Sequence, residues 1–329
     1  MNICILGDKA YYKRILPDND RIEHDDVVFL GRAATNDEVV AAMPDTQILI
    51  ADAIATVDAD LIGRLPQLRL IQSEGVSYNS FDCAEAAARG VYVCNNAGMN
   101  AGAVAEQTIL LMLGLLRGVA VHDAAVRQGR QMDAKMRCMR EGVTDLADCT
   151  VGLVGMGAIA QATAARLAAF GCRVLYTNRT RKPAELEQRL GLAWREMDEL
   201  LAESDIVSLH CAVTPQTTGM VDAAFLAKMR PGSYLVNTAR GQLMDNAALA
   251  AAVTSGHLAG AGIDTLYPEP FEPGDPMLNL PEEVAGRVLF SPHIGGVTTG
   301  SMRRGQTHIW ENVAALEAGE RPTCVVNGI

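Results

Sequence analysis

Three apolar, strand-like runs in the second half of the sequence are each followed by a chemically active side chain. Arg240 follows the first run, Glu269 the second and His293 the third, and Asp264 ends the second run. An arginine can bind an anionic group, and a histidine can transfer a proton. Ligands bind outside the carboxyl ends of the strands in open α/β sheets. The pattern indicates a ligand site at one sheet edge, although each residue alone is also typical of a structural histidine, an ion-paired arginine or a solvated carboxylate.

A glycine-rich turn lies between a strand-like run, 150–154, and a helix-like segment, 159–170. Its glycines and the following alanine form the Gly-x-Gly-x-x-Ala version of the dinucleotide fingerprint. The first glycine permits the turn, the second lets the backbone approach a pyrophosphate, and amides at the helix N-terminus face the phosphates. We therefore expect a dinucleotide coenzyme to bind at Gly155, Met156, Gly157, Ala158 and Ile159.

The next predicted strand ends in a basic turn about 20 residues beyond the glycines. NAD sites normally place an acidic residue there to bind the ribose 2′-hydroxyl. In this chain Asn178 takes that position, followed by Arg179, Thr180, Arg181 and Lys182. A neutral residue with guanidinium donors suits a 2′-phosphate, so the turn predicts NADP(H) as the preferred coenzyme and NAD(H) as the alternative. The competing interpretation is a solvated basic turn that precedes a helix.

Short apolar runs alternate with helix-like segments along most of the chain, which predicts parallel sheets with crossover helices. The predicted strands are 2–6, 27–30, 47–51, 68–72 and 91–94, then 150–154, 173–176, 206–210, 233–237, 261–264 and 288–290. Two long helices, from about residue 101 to beyond 118 and from about 299 to 317, lie at the junctions of the two series. The chain is therefore expected to enter a second domain near residue 100 and to return to the first near residue 298.

Composition limits the classes of partner. The 329 residues are 49% hydrophobic and 20% charged, which excludes wholesale disorder. With 28 Lys and Arg against 39 Asp and Glu, the net charge is −11, so nucleic acids and anionic membranes are poor partners and a small molecule is favoured. The eight cysteines have no metal-ligand spacing, and neither a secretory signal nor a membrane span is evident. We expect a cytoplasmic protein without a metal site.

With these motifs in place, the sequence resembles the D-isomer-specific 2-hydroxyacid dehydrogenase family over essentially its whole length. The matching pieces are the glycine turn 155–160 and the segments 237–241, 264–270 and 291–295. The resemblance implies an α/β fold with two doubly wound parallel-sheet domains. A flavodoxin-like substrate domain would comprise 1–99 and 298–329, and an inserted Rossmann coenzyme domain 100–297. It also implies a cleft between the domains and a homodimer.

The resemblance assigns a role to each residue at the predicted site. Hydride moves between the coenzyme and a 2-oxoacid, His293 protonates the carbonyl oxygen, and Glu269 favours the charged imidazole. Arg240 holds the substrate carboxylate and polarises the carbonyl, and Asp264 orients the nicotinamide carboxamide. Further coenzyme contacts are expected at His210, Thr238, Ala239 and Gly295, and further substrate contacts at Glu74, Gly75, Val76 and Asn100.

Several residues depart from the family pattern in ways that could reshape the pocket without removing a catalytic group. They are Glu74 and Ser77 in the substrate loop, Gln107, Ala212 and the pair Gly296-Val297. The basic turn resembles that of reductases for glyoxylate and hydroxypyruvate, which are the expected substrates, with bulkier 2-oxoacids left open. Alternatives are a coenzyme-sensing, corepressor-like binding protein and a phosphite-type dehydrogenase. A formate dehydrogenase is disfavoured because it would carry Gln at the position of Glu269.

Overall fold

A computed structural model describes residues 1–52 and 54–329. Its strands are β1 Ile3–Leu6, β2 Val27–Leu30, β3 Ile48–Ala51, β4 Leu70–Ser73, β5 Tyr92–Cys94, β6 Thr150–Val154, β7 Arg173–Thr177, β8 Leu192–Trp194, β9 Ile206–Leu209, β10 Ser233–Asn237, β11 Leu258–Ile263 and β12 Val288–Phe290. Its α-helices are α1 Lys9–Ile15, α2 Asn36–Ala42, α3 Ala59–Arg64, α4 Cys83–Ala88, α5 Ala101–Leu116, α6 Val119–Arg127, α7 Gln131–Glu141, α8 Ala158–Phe170, α9 Ala184–Leu190, α10 Met197–Glu203, α11 Ala223–Lys228, α12 Asn246–Thr254, α13 Glu282–Ala285 and α14 Thr299–Glu317. The chain forms two compact units, the first made of Met1–Asn100 with Thr298–Ile329 and the second of Ala101–Val297.

The first unit contains a parallel sheet in the order β2-β1-β3-β4-β5. This is the flavodoxin-like order, in which the chain reverses direction across the sheet between β1 and β3. Every residue of β1 and β3 is buried, because helices cover both faces of the sheet. Ile309 and Val313 of α14 pack in one apolar cluster with Ile3 and Ile5 of β1. The C-terminal helix is therefore part of this unit's core.

The second unit contains a seven-stranded parallel sheet in the order β12-β11-β10-β9-β6-β7-β8. The order reverses between β6 and β9, as in a Rossmann fold, and ligands bind outside the strand ends at such a switch point. Two apolar clusters cover the two faces of the sheet. The predicted fold class, two doubly wound parallel-sheet domains, is confirmed.

The prediction of one helix from about residue 101 to beyond 118 is wrong. Helix α5 ends at Leu116, and α6 begins at Val119 with its axis bent by 59°. Gly118 between them has φ +53°, a left-handed conformation that interrupts a right-handed helix and that glycine adopts at little cost. In the described part of the chain, no single helix is long and apolar enough to cross a membrane; only the bent pair α5 and α6 reaches that length and composition together.

Candidate active site

His293 and Glu269 form a contact in the second unit. The imidazole Nδ1 lies 2.9 Å from Glu269 Oε2 and 3.1 Å from Oε1. The two side chains are 38% and 49% exposed, so the pair is open to a ligand. Because the carboxylate occupies Nδ1, Nε2 is the nitrogen left for a reacting group. Both residues line a cavity of about 290 Å³ that Arg240 also lines. The structure thus brings the three predicted catalytic residues together.

The turn that carries His293 is held by the carboxylate of Asp264, which follows β11. Asp264 Oδ1 accepts hydrogen bonds from Ser291 Oγ at 2.5 Å and Ile294 N at 3.1 Å, and Oδ2 accepts from Gly295 N at 2.9 Å. The aspartate is only 2% exposed. Gly295 is required here, since a Cβ would lie 2.8 Å from Asp264 Oδ2. The carboxylate of Asp264, which is predicted to orient a nicotinamide, is therefore hydrogen-bonded to the turn that carries His293.

The backbone of His293 is strained. Its φ of 55° lies in the left-handed region, which residues other than glycine rarely adopt. Its amide donates to Asp264 O at 2.8 Å and to Ser291 O at 3.0 Å, and these bonds hold the conformation. Strain at a residue with an exposed, carboxylate-paired imidazole is typical of a functional position.

Arg240 projects from a turn shaped by Asn237 at the end of β10. The buried Asn237 side chain accepts from Ala239 N and donates to Arg240 O, each at 2.9 Å. The next residue must be glycine, because a Cβ on Gly241 would lie 2.3 Å from the backbone of Leu266. Arg240 is exposed and has no carboxylate partner among the described residues. Its guanidinium is thus available to an external anion.

The predicted phosphate loop joins β6 to α8. Gly155 has φ +100°, and a Cβ there would lie 2.7 Å from the carbonyl oxygen of His210, which follows β9. Gly157 starts the helix with open space above it and, within the described chain, no side chain caps it. Ala160 is fully buried against the sheet. The first amides of α8 are therefore free to bind an anionic group, as a pyrophosphate would require.

Comparison with known proteins identifies the family. Residues 109–295 match the model described as "D-isomer specific 2-hydroxyacid dehydrogenase, NAD binding domain". The chain belongs to this family. The predicted family is confirmed.

Three relatives illustrate the range of the family. The chain is 36% identical to D-3-phosphoglycerate dehydrogenase of Mycobacterium tuberculosis, over 99% of this chain and 58% of that protein. It is 34% identical to glyoxylate reductase of Korarchaeum cryptofilum, over 88% of this chain and 85% of the relative. The holo form of Rhodotorula graminis D-mandelate dehydrogenase superposes with a TM-score of 0.85 at 26% identity, covering 99% and 97% of the two chains. The chain thus spans only a little over half the length of the phosphoglycerate dehydrogenases it matches.

In this dehydrogenase-family chain the basic turn after β7 is partly committed to internal contacts. Arg181 donates to both carboxylate oxygens of Glu187, at 2.9 and 2.8 Å, and its guanidinium lies 5.7 Å from the ring centroid of Trp194. The Arg181 guanidinium holds the pKa of Glu187 down to about 2. Arg179 is exposed and has no partner among the described residues. Of the two predicted arginines, Arg179 is thus the one free to bind a phosphate.

Asn178 links this turn to the phosphate loop. Its Oδ1 accepts from Met156 N at 3.2 Å and its Nδ2 donates to Thr180 O at 2.8 Å. Thr180 and Arg179 are exposed beyond it. The end of β7 therefore carries a neutral amide whose two polar atoms are hydrogen-bonded to the phosphate loop and to the turn itself.

The remaining predicted coenzyme contacts lie at the same carboxyl edge of the sheet. His210 Nε2 lies 2.9 Å from Ser208 Oγ, and burial lowers the pKa of His210 to about 4, so the imidazole is neutral at neutral pH. Thr238 is buried with its hydroxyl 2.9 Å from that of Thr108, and Ala239 follows it in the Asn237 turn. His210 is therefore a neutral, packed residue beside Gly155.

Gln107 and Ser291 are supporting residues to which the sequence assigned no role, although Gln107 was noted as a departure from the family pattern and Ser291 lies in the matching segment 291–295. Gln107 Nε2 donates to Ser291 Oγ at 2.9 Å, and that hydroxyl donates to Asp264. Gln107 lies on α5, 184 residues away from Ser291 in sequence. The available signal in the sequence was that Gln107 departs from the family pattern.

The predicted substrate loop follows β4 in the first unit. Glu74 turns its carboxyl inward, where Oε1 accepts a hydrogen bond from the phenolic hydroxyl Oη of Tyr12 at 2.5 Å and Oε2 lies 3.7 Å from the Arg32 guanidinium. Gly75 has open space around its Cα, and Val76 is 38% exposed. Asn100 ends the first segment of this unit and makes no hydrogen bond to the loop among the described residues. Glu74, Gly75 and Val76 are consecutive in this loop, and no hydrogen bond joins Asn100 to them among the described residues.

Proposed function

We propose that the chain is an NADP(H)-dependent reductase that converts a small 2-oxoacid to the corresponding D-2-hydroxyacid. The observation that carries the proposal is the exposed His293–Glu269 pair beside Arg240 around one cavity. This arrangement combines a proton donor with a cation that has no carboxylate partner among the described residues and that can bind an anionic substrate. The D configuration of the product follows from family membership.

The proposed reaction divides between the bound coenzyme and the side chains of the second unit. The phosphate loop between β6 and α8 and the turn at Asn178 would hold a reduced nicotinamide coenzyme, which when bound would supply the hydride for the carbonyl carbon. Arg240 binds the carboxylate and polarises the carbonyl oxygen. His293, as imidazolium, gives the proton on Nε2 to that oxygen, and Glu269 at Nδ1 stabilises the charged ring before transfer. Asp264 keeps the turn, and with it the ring, in place.

The proposed preference for NADP(H) rests on charge at the end of β7. Asn178 is neutral, and Arg179 is an exposed cation without a partner in the described chain. A 2′-phosphate would gain a charge-assisted hydrogen bond from Arg179. Arg181 would act indirectly, by holding the turn through Glu187.

The proposed substrate is small and unphosphorylated, such as glyoxylate or hydroxypyruvate. The loop 73–78 contains no lysine or arginine, and its one ionisable acid, Glu74, is turned inward. A substrate phosphate would find no cation on this loop. Family membership also supports the proposal that the protein acts as a homodimer.

The test compares NADPH and NADH oxidation with glyoxylate, hydroxypyruvate, 3-phosphohydroxypyruvate and phenylglyoxylate. We expect turnover with one of the first two and a higher kcat/KM with NADPH. Arg179→Ala should lower kcat/KM for NADPH about tenfold, because one hydrogen bond to a charged group contributes about 1.5 kcal/mol or more, and it should leave NADH within about twofold.

Arg189→Ala, at an exposed arginine of α9, is the matched control and should change neither coenzyme. Equal or better use of NADH by the parent would show that the coenzyme assignment is wrong. Binding of coenzyme without turnover of any 2-oxoacid would instead favour a coenzyme-sensing binding protein.

A further inference from the structure

The carbonyl oxygens of the loop 73–77 all point to donors within the first unit. The oxygens of residues 73 and 74 accept from Gln72 Nε2 at 3.0 Å and Asn96 Nδ2 at 2.7 Å. That of residue 75 accepts from the amide of Asn96 at 2.8 Å, and those of 76 and 77 accept from Asn95 Nδ2 and Ser73 Oγ, each at 2.7 Å. Five successive carbonyls are thus held on one side of the loop.

Two backbone amides of the same loop are in the opposite situation. Those of Val76 and Ser77 have no acceptor among the described residues. Val76 is exposed, and Gly75 beside it would admit a Cβ without contact. With the carbonyls turned inward, the free amides present positive partial charge outward, which suits an anionic carboxylate.

Asn96 makes the central contacts of this arrangement. It follows β5, the strand paired with β4, so it lies beside the loop at the same sheet edge. Its backbone and side-chain amides hold two successive carbonyls, those of residues 74 and 75. The residue is 2% exposed, so no solvent replaces a lost bond. Gly305 of α14 makes room for it, because a Cβ there would lie 3.1 Å from Asn96 Nδ2.

His308 of α14 fixes which way the Asn96 amide faces. Its Nδ1 lies 2.8 Å from Asn96 Oδ1, and its Nε2 lies 2.7 Å from Thr323 Oγ1. Because Asn96 Nδ2 is committed to Glu74 O, Oδ1 must accept, and the ring donates from Nδ1. Burial lowers the pKa of His308, which favours a neutral ring with Nε2 accepting from Thr323. If the Asn96 side-chain amide were rotated by 180°, its NH₂ group would face the N–H donor of His308 and its oxygen would face the carbonyl oxygen of Glu74. Both hydrogen bonds would then be lost.

We propose that Asn96 and His308 are a pair of positioning residues, which keep the carbonyls of residues 74 and 75 inward so that the Val76 and Ser77 amides can bind the carboxylate of the substrate. His308 acts through Asn96 and touches no substrate. The proposal rests on the proposed function for the identity of the anion. The order of the loop itself can be measured without any turnover.

The experiment measures KM for the best 2-oxoacid and hydrogen exchange of the Glu74 and Gly75 amides, both hydrogen-bonded in the parent. Asn96→Ala and His308→Leu should each raise KM about tenfold and leave kcat and the coenzyme KM nearly unchanged, since a buried hydrogen bond contributes about 1 to 1.5 kcal/mol. Both should speed exchange of the two amides. His308→Gln, which can still donate to Asn96 Oδ1, should stay within about threefold of the parent.

The double variant separates positioning from general destabilisation. If His308 acts through Asn96, adding His308→Leu to Asn96→Ala should raise KM no further, whereas independent effects multiply. The matched control is Thr46→Val, which removes a buried 2.6 Å hydrogen bond to Met43 O in the same unit, before β3 and away from the loop. It should change neither KM nor the two exchange rates.

The outcomes separate this proposal from the proposed function. The positioning role is overturned if Asn96→Ala leaves both KM and amide exchange unchanged. It is also overturned if Asn96→Ala speeds amide exchange but leaves KM unchanged. A third contradicting result is a double variant in which the two effects on KM multiply. If the parent reduces no 2-oxoacid, the proposed function fails, and exchange alone decides: faster exchange in the variants supports positioning of the loop, and unchanged exchange overturns it. If Asn96→Ala does not fold, His308→Leu against His308→Gln provides the same comparison.

Discussion

The turn 291–295 and the loop 73–77 both lie at the end of a strand of a parallel sheet, and each is held by side chains that follow the adjacent strand. In the first, the carboxylate of Asp264 accepts from two backbone amides and one hydroxyl. In the second, the side-chain amides of Asn95 and Asn96 donate to backbone carbonyls. The two segments therefore leave opposite groups available, the His293 side chain in one and the amides of Val76 and Ser77 in the other.

This difference indicates how each segment can contribute to chemistry. The Asp264 carboxylate accepts hydrogen bonds from backbone amides, which holds the backbone of the turn and leaves the His293 side chain free to react. The turn is therefore suited to proton transfer. The side-chain amides of Asn95 and Asn96 donate to backbone carbonyls and leave backbone N–H groups without a partner. The loop is therefore suited to binding an anion. In both cases the supporting group is buried and polar, and its removal leaves unsatisfied partners.

The largest expected effect is at the turn. His293→Ala removes the proton donor, and kcat should fall by about 10²- to 10⁴-fold, the usual contribution of a general acid. Coenzyme affinity, measured by fluorescence titration, should change little. His257→Ala is the control and should retain activity, because the His257 side chain hydrogen-bonds only to Leu226 O among the described residues. Turnover within a few-fold of the parent would mean that another group supplies the proton.

A smaller effect is expected when the support of the turn is changed and the histidine is kept. Asp264→Asn retains the shape but leaves one oxygen for three donors. We expect kcat to fall about 10- to 100-fold, because bonds to a charged acceptor contribute about 1.5 to 3 kcal/mol each. Steady-state kinetics and urea unfolding measure the two consequences.

Asp222→Asn is the matched control for Asp264→Asn. Asp222 accepts from Phe225 N at 2.8 Å as the N-cap of α11, and an asparagine can still accept this hydrogen bond, so the change should alter the free energy of unfolding by less than about 1 kcal/mol without changing kcat. If Asp264→Asn and Asp222→Asn behave alike, the carboxylate of Asp264 has no special role in holding the turn.

The smallest effect on activity is expected at the one buried carboxyl of the loop. Burial raises the pKa of Glu74 above its usual value of 4.5. At pH values between 4.5 and the raised pKa, Glu74 is protonated in the folded state but ionised in the unfolded state. Its contribution to the free energy of unfolding is therefore fully present below pH 4.5 and is lost as the pH rises through the folded-state pKa. Glu74→Gln cannot titrate and keeps an oxygen for Tyr12. The free energy of unfolding of Glu74→Gln should therefore not show this decrease with rising pH, and its KM should change less than about threefold.

Glu23→Gln is the control for the sign of that pH dependence. Lys13 and Lys9 lower the pKa of the exposed Glu23, so its contribution is present at high pH and is lost as pH falls. Urea unfolding across pH should therefore show opposite trends in the two variants, each relative to the parent. A Glu74→Gln variant whose stability tracks the parent at every pH would contradict the assignment.

The sheet edges were predictable from the sequence. Apolar runs of strand length, each followed by Gly, Asn, Arg or His, placed Gly155, Arg240 and His293 at strand ends, and parallel strands bring such ends to one edge. The family motifs assigned their roles. The break at Gly118 was missed because the apolar pattern continues through it, and the left-handed conformation has no hydropathic signature.

The hydrogen-bond partners were not predictable. Arg181 belongs to a basic turn in the sequence, but its guanidinium is committed to Glu187 and lies against Trp194. His308 has no motif around it, and its partner Asn96 is 212 residues away. Such contacts depend on how α14 packs on the first sheet, which local propensity and spacing do not encode.

The sequence by itself determined the parallel α/β architecture, the phosphate loop and the residues able to bind an anion or transfer a proton, because hydrophobic periodicity and strand-end motifs are local. Only the tertiary structure decided which polar groups are consumed internally and which stay free. In the folded chain, the Asp264 carboxylate accepts hydrogen bonds from the turn that carries His293, and the Arg181 guanidinium is bonded to Glu187. The carbonyls of residues 73–77 are likewise hydrogen-bonded within the first unit. The physical reason is that a buried polar group must find a partner, and the nearest partner comes from a distant part of the chain.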